Sequence, residues 1–503
     1  MNDKCKSMES KNKTAKILTK ILFVLTAVFP FGLIVPIVLP GAVDEAWNTQ
    51  RISSFVMAGT LFCSIFAVRM VVPHKMTGKN KIMFSGFMFF SALALRLFVI
   101  ALLQAEPVSD FYTCYEYAAT GNGDREYLAR YPYLGAYALT LRLFLKRFGA
   151  SVWNAQVYNA VVTSLIPIAL YGTVSRVTGS QKTGAAAGFS YALCPSMIIY
   201  AAVPSCEHIS QFFISLLLCA YAYYHTTENR RKKKWVYCIA VGIFLGAVCI
   251  YKSLFLILAP CLFLTGMLYE AGSYLENRNK KSLAAVVLQY TVMTVIAWVL
   301  VKGGIAVVRT QLQADALTGK GSYSATIYKG LCKEGNGVWN REVQQYIDQV
   351  FEEHTDKREV DRIFYGKLID EYKEEPQALF RLIGNKFFID WCSEDYYYWT
   401  FSGDGNMVQG SWIGEILFVI VPRIFFMMVS AVIAFGFLAA VIRGEPPLQM
   451  QFRFYMSSVI FLFAVALILM EAQGRYKSNF MPFICVLFGF GTDYMRKIRK
   501  EKR

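Results

Sequence analysis

The sequence predicts an all-α polytopic membrane protein of about twelve transmembrane helices. An interfacial helix is expected in the first large outer loop, and a small outer domain further on. Three observations carry this reading. Of 503 residues, 55% are hydrophobic and mean hydropathy is +0.37, more apolar than a soluble chain of this length. The apolar residues fall in runs of the roughly 20 that a bilayer-crossing helix needs. The net charge of +17 is gathered beside those runs, in KTAKILTK, PHKMTGKNK, ENRRKKKW and MRKIRKEKR, as in cytoplasmic loops. A nucleic-acid partner would need one continuous basic face, so that class is set aside.

The spans are read at 17–40, 53–72, 82–104, 153–175, 183–203, 207–225, 235–251, 253–270, 283–305, 414–442, 453–471 and 475–492. The first is too long for a signal-peptide core and no small-residue cleavage site follows it, so it is read as a retained span. Interruptions at Cys206 and Lys252 mark tight turns; one continuous helix for either pair would outrun any bilayer. With the N-terminus inside, every strongly basic loop falls inside. The expected setting is the plasma membrane, multi-pass, with both termini cytoplasmic.

One segment tests the scheme. YPYLGAYALTLRLFLKRFG, residues 131–149, is apolar enough to suggest a span, but crossing there would turn the later basic loops outward. Arg142, Lys146 and Arg147 gather on one side; Tyr137, Leu141 and Phe144 recur on another. An amphipathic helix lying in the outer interface fits better than a short span.

Three parts follow: an N-terminal membrane module at 1–305 with an outer loop at about 105–152, an extracytoplasmic region at 306–412, and C-terminal membrane helices at 413–503. The middle region is polar and carries two amphipathic helices. REVDRIFYGKLIDEY repeats Val360, Ile363, Phe364 and Tyr372. PQALFRLIGNKFFIDW opens at Pro376 with a stripe of Leu379, Leu382, Ile383 and Phe387. DYYYWTF after it has the composition of a headgroup-level segment. The twelve cysteines lie mostly in apolar runs, where Cys acts as a small hydrophobe. Cys332 and Cys392 fall outside and could pair.

The chemistry-bearing candidates cluster on the outer face. Asp110 follows a span directly, after Pro107 and Ser109, in an aromatic run of Phe111, Tyr112, Tyr115 and Tyr117. A partly desolvated carboxylate there would suit a general base. The plainer reading is a helix N-cap, a role Ser109 could fill instead. Glu207, with His208 beside it, lies in PSCEHIS on the same face; the two carboxylates could share an acceptor or a divalent cation such as Mg or Mn, or Glu207 could be a solvated turn. Cations near that face are Lys252, Arg475 and, deeper, Arg96; outer-leaflet cations facing a groove suit a lipid phosphate, and snorkelling is the alternative. No phosphate loop, zinc-spaced His pair or Ser-His-Asp arrangement is found.

Taken in order, these motifs resemble the GT-C superfamily of membrane glycosyltransferases, in the branch of protein O-mannosyltransferases and bacterial aminoarabinose transferases. The order is LALRLFVIALL, PVSDFYTCYEYA, YPYLGAYALTLRLFLKRFG, AQVYNAVVTSLIPIALYGTVSRVTG, PSCEHIS and EAQGRYKSNFMPF. The likeness spans nearly the whole chain apart from two extra spans at the front. It implies a GT-C fold and an inverting transfer of sugar from a polyprenyl-phosphate carrier to an extracytoplasmic acceptor, which is a protein, envelope glycan or lipid. It implies Asp110 as the base, with Glu207, His208, Tyr131, Arg96, Lys252, Arg475 and Tyr476 binding substrate. Two departures stand: YPYLG lacks the second Pro of the mannosyltransferase pattern, and no acidic pair follows Asp110 as in metal-dependent members. The competing expectation is a flippase or transporter of a polyprenyl-linked glycan; the lack of an internal repeat and the large outer loops tell against it. A non-catalytic membrane scaffold is the third.

Overall fold

A computed structural model describes residues 47–227, 231–277, 280–313, 323–354, 356–392 and 416–501. The expected span at 17–40 and the DYYYWTF stretch lie outside the described residues. Every regular element among those described is helical, the form in which a chain in lipid satisfies its own backbone.

The first helices are α1 (Trp47–Val71) and α2 (Gly78–Leu103). Three short helices follow: α3 (Asp110–Thr120), α4 (Arg125–Arg130) and α5 (Pro132–Phe148). The central bundle is α6 (Val152–Thr178), α7 (Gln181–Ala192), α8 (Pro195–Tyr200), α9 (Cys206–Thr226), α10 (Arg231–Tyr251), α11 (Phe255–Asn277) and α12 (Lys280–Leu312). Then come α13 (Tyr323–Leu331), α14 (Arg341–Glu353), α15 (Lys357–Lys373) and α16 (Pro376–Phe387), and last α17 (Val421–Arg443), α18 (Pro447–Leu469) and α19 (Met481–Glu501). Among the described residues six helices are long and apolar enough to cross a bilayer: α2, α6, most of α10 and of α12, α17 and α18. The protein is a multi-pass membrane protein.

The more polar helices sit inside. α7 is buried from Thr183 to Ala192, and α9 buries Glu207, His208, Ser210 and Gln211. The expected single span at 183–203 is two helices, because Pro195 lacks an N–H and clashes with a continuing helix. α17 and α19 approach backbone to backbone: a Cβ on Gly491 would lie 2.4 Å from the Val432 carbonyl oxygen, and one on Gly436 2.6 Å from the Gly491 Cα. Small residues take this role between membrane helices, where close approach replaces the hydrophobic drive.

The basic loops meet at one end of the bundle. The His74 ring contacts Ser180 at 3.1 Å and Arg496 at 3.4 Å, while Asp493 holds Arg496 at 2.7 Å and Lys497 at 2.9 Å. At the other end lie α3–α5 and the links 201–205, 252–254 and 470–480. Both ends of α5 are tied there: Tyr133, near its start, has Lys252 5.4 Å from its ring, and Asn154 at the head of α6 donates to Phe148 O at 2.9 Å. α5 therefore returns to the end it started from. Its 17 residues rise only about 26 Å, short of the roughly 30 Å hydrocarbon core. Leu134, Tyr137 and Leu141 share a buried core with Val308 and Leu312 of α12, while Leu143 and Phe148 face outward.

Beyond α12, helices α13–α15 share a separate small core of Tyr328, Val343, Ile347, Val360, Phe364 and Leu368. Asn340 caps α14, accepting from the Glu342 and Val343 N–H groups, and Asp356 caps α15. The sequence reading passed over α14, although Val343, Ile347 and Val350 are spaced four and three apart. In α16 the expected apolar stripe includes an intruder: Lys386 is buried with Leu382.

Gly491→Leu is expected to lower the thermal unfolding temperature in detergent, since overpacking costs about 1–3 kcal/mol or more. Gly366→Ala, with no atom within 4 Å of the added carbon, is the control and should hold or raise it. An unchanged melting curve for Gly491→Leu would mean that the α17–α19 contact is not close.

Candidate active site

The site begins at a strained residue. Ser109 has φ 53° and ψ −132°, a conformation costly for any residue but glycine. It turns the chain so that Asp110 becomes the first residue of α3. The Ser109 side chain makes no capping hydrogen bond, and the Asp110 carboxylate does not cap either. Instead Asp110 Oδ1 accepts from the Tyr127 hydroxyl at 2.6 Å, and Oδ2 lies 3.4 Å from Arg475 Nη2. The N-cap alternative for Asp110 is thereby overturned. Tyr127 sits on α4, capped by Asp124, which accepts its N–H at 2.8 Å. Burial, then the adjacent Asp110 charge, pushes the Tyr127 phenol well above its usual range, so it remains a donor.

Arg475 arrives from the other end of the sequence, on a 3-10 turn, Gly474–Phe480, ahead of α19. Its Nε donates to Gln473 Oε1 at 2.6 Å, and its guanidinium lies 4.8 Å from the Phe111 ring centroid.

Glu207 opens α9 behind Ser205, whose hydroxyl oxygen accepts the Glu207 N–H at 3.3 Å and which also donates to Glu207 Oε2. Glu207 Oε1 pairs with Lys252 Nζ at 2.8 Å. Lys252 comes from the link between α10 and α11 and lies between two rings, 5.4 Å from Tyr133 and 5.2 Å from Tyr476. Asp110, Glu207, Lys252, Arg475, Tyr133 and Tyr476 all line one cleft.

Five of the eight residues singled out from the sequence thus come together: Asp110, Glu207, Lys252, Arg475 and Tyr476. Three do not line the cleft. His208, one residue past Glu207 and so a hundred degrees round the helix, meets the Val203 carbonyl at 2.9 Å and the Tyr200 ring at 4.7 Å. Tyr131 is 38% exposed and packs behind Tyr127, ring centroids 4.9 Å apart. Arg96 is fully buried, about 10 Å along α2 from its end. It donates to Ala92 O at 3.1 Å and Ala192 O at 3.4 Å, filling the carbonyl left open where α7 breaks. Tyr127, Tyr133 and Gln473 were missed. Tyr133 lay within a quoted motif; Tyr127, in DREYLAR, carries no pattern that would single it out.

Asp110 and Glu207 are the two carboxylates that, on the sequence reading, could share a divalent cation. Each carboxylate is already held by a cation, which a metal would have to displace. Among the described residues no group of three or more His, Cys, Asp and Glu side chains is placed to hold a metal ion. Cys332 is a buried free thiol.

Residues 131–298 match the family described as Dolichyl-phosphate-mannose-protein mannosyltransferase. The match supports a GT-C membrane glycosyltransferase. It covers a third of the chain and takes in Tyr133, Glu207 and Lys252, but neither Asp110 nor Arg475. No curated protein matches the chain. Among solved structures, the chain aligns with the archaeal oligosaccharyltransferase AglB from Archaeoglobus fulgidus, solved in complex with an inhibitory peptide and a dolichol-phosphate. The alignment has 13% identity and a TM-score of 0.42, covering 83% of this chain and 52% of that one. The chain thus spans about half the length of that neighbour.

Lys252→Met is expected to lose about 3–5 kcal/mol of stability by stranding the buried Glu207 charge. The double variant with Glu207→Gln should recover most of it. Thermal unfolding of the two variants side by side checks this; equal losses would mean the pair is not coupled.

Proposed function

We propose that the protein is an inverting glycosyltransferase that moves a sugar from a polyprenyl-phosphate carrier to an acceptor hydroxyl outside the membrane. The observation that carries this is the cleft itself: two cations and two carboxylates converge at one end of a lipid-embedded bundle. The basic loops gather at the opposite end, which under the positive-inside pattern turns the cleft outward. The family match over 131–298 supports the same reaction class.

The chemistry follows from the charges. The carrier phosphate brings negative charge and competes with Asp110 for Arg475 and with Glu207 for Lys252. Once Arg475 turns to the phosphate, Asp110 Oδ2 is released while Tyr127 still holds Oδ1. The acceptor hydroxyl gives its proton to Oδ2 as its oxygen bonds to the anomeric carbon. The bond from that carbon to the phosphate oxygen breaks on the opposite side, which inverts the centre. The electron pair stays on the lipid phosphate, where Arg475 and Lys252 meet the developing charge. Phosphate is already a good leaving group, so no separate acid is required. The acceptor is proposed only as a hydroxyl-bearing protein, envelope glycan or lipid.

The test is sugar release from radiolabelled polyprenyl-phosphate donors by purified protein in nanodiscs, with a crude envelope extract as acceptor. Asp110→Asn should slow release by about 10²–10⁴-fold, the usual worth of a general base, with carrier binding retained. Equal release by the variant removes Asp110 as the base. No release from any carrier by the unaltered protein would bring the flippase reading forward.

A further inference from the structure

The run 468–477, which delivers Arg475, is gripped along its length by the layer of residues 323–392. Lys386 Nζ donates to Ile468 O at 2.7 Å and to Gly330 O at 2.8 Å. Lys329 pairs with Glu471 at 2.9 Å. The Ala472 N–H donates to Gly337 O at 2.7 Å. The Gln473 N–H donates to Asp390 Oδ1 at 2.9 Å, and Lys477 Nζ donates to Trp391 O at 2.9 Å. Gly330 lies so close that a Cβ there would sit 2.5 Å from the Met470 carbonyl carbon.

These contacts converge on Gln473. Its backbone is fixed by Asp390, its side-chain nitrogen donates to Glu471, and its Oε1 takes the Arg475 Nε. Asp390 and Lys477 hold the chain on either side of Arg475. Asp390, Lys386, Lys477 and Trp391 are all buried, a heavy desolvation burden for a surface layer that did no more than cover the bundle.

We propose that Asp390 is a positioning residue: through Gln473 it sets the guanidinium of Arg475 at the cleft, so that the layer 323–392 orients the cation that takes the carrier phosphate. This rests on the carrier reading above. Asparagine is a close stand-in for Asp390, because burial pushes its carboxyl up to about 7, against the pull of the Gln473 N–H, Lys386 and Lys477 and with that of Glu471.

The probe is undecaprenyl phosphate, titrated against the full chain in nanodiscs, with melting curves recorded alongside. The unaltered protein should bind it, and Arg475→Ala should lose that binding. Asp390→Ala should weaken it about tenfold, the scale of one lost hydrogen bond to an oriented group, while Asp390→Asn stays within about twofold. Gln473→Leu keeps the backbone bond to Asp390 but drops the hold on Arg475, so it should weaken binding like Asp390→Ala with little change in melting. It also decides the matter if Asp390→Ala does not fold. Undiminished binding by Gln473→Leu, or by a folded Asp390→Ala, overturns the positioning role and leaves the carrier reading standing. No binding by the unaltered protein overturns the carrier reading and the positioning role with it; full binding by Arg475→Ala overturns the positioning role alone, because Lys252 also lines the cleft.

Discussion

Charged side chains cannot be gathered at the end of a bundle in lipid unless each finds an opposite. The pairing of Asp110 with Arg475, 365 residues apart, and of Glu207 with Lys252 meets that demand. It also explains the architecture around them. The strained turn at Ser109, the cap at Ser205, the short link at Lys252 and the 3-10 turn at 474–480 are four unrelated local structures. Each joins two helices at the same end of the bundle. What they share is that each presents one ionised group to the same space.

Much of this was legible because the membrane imposes simple periodicities. Apolar runs of bilayer length marked α2, α6, α10, α12, α17 and α18, and the basic clusters sorted the loops into two ends. Asp110, Glu207, Lys252 and Arg475 were legible for the same reason. A charge at the margin of an apolar run is conspicuous, and all four sit where runs stop.

What was not legible is what depends on contacts rather than composition. Arg96 has the same sequence signature as Arg475, a cation near the end of an apolar run, yet it closes the backbone gap where α7 breaks. His208 has the credentials of a site residue but points away by helical phase alone. Lys386 sits in a stripe that reads as an ordinary amphipathic helix, and only the carbonyls of Gly330 and Ile468 explain its burial. Tyr127 has no signature at all. Its importance is a distance of 2.6 Å to a carboxylate, which no spacing rule encodes.

The four charges that line the cleft sum to zero, although the chain as a whole carries +17. A protein that captures an anion from bulk water gains speed from a long-range field around its mouth. Here no such field arises from the lining groups, so the anionic head group proposed for this site would be recognised only at contact range. Such a site is matched to a ligand that is already confined to the same sheet of lipid. Encounter becomes a two-dimensional search, and the membrane supplies the concentration that electrostatic attraction supplies elsewhere.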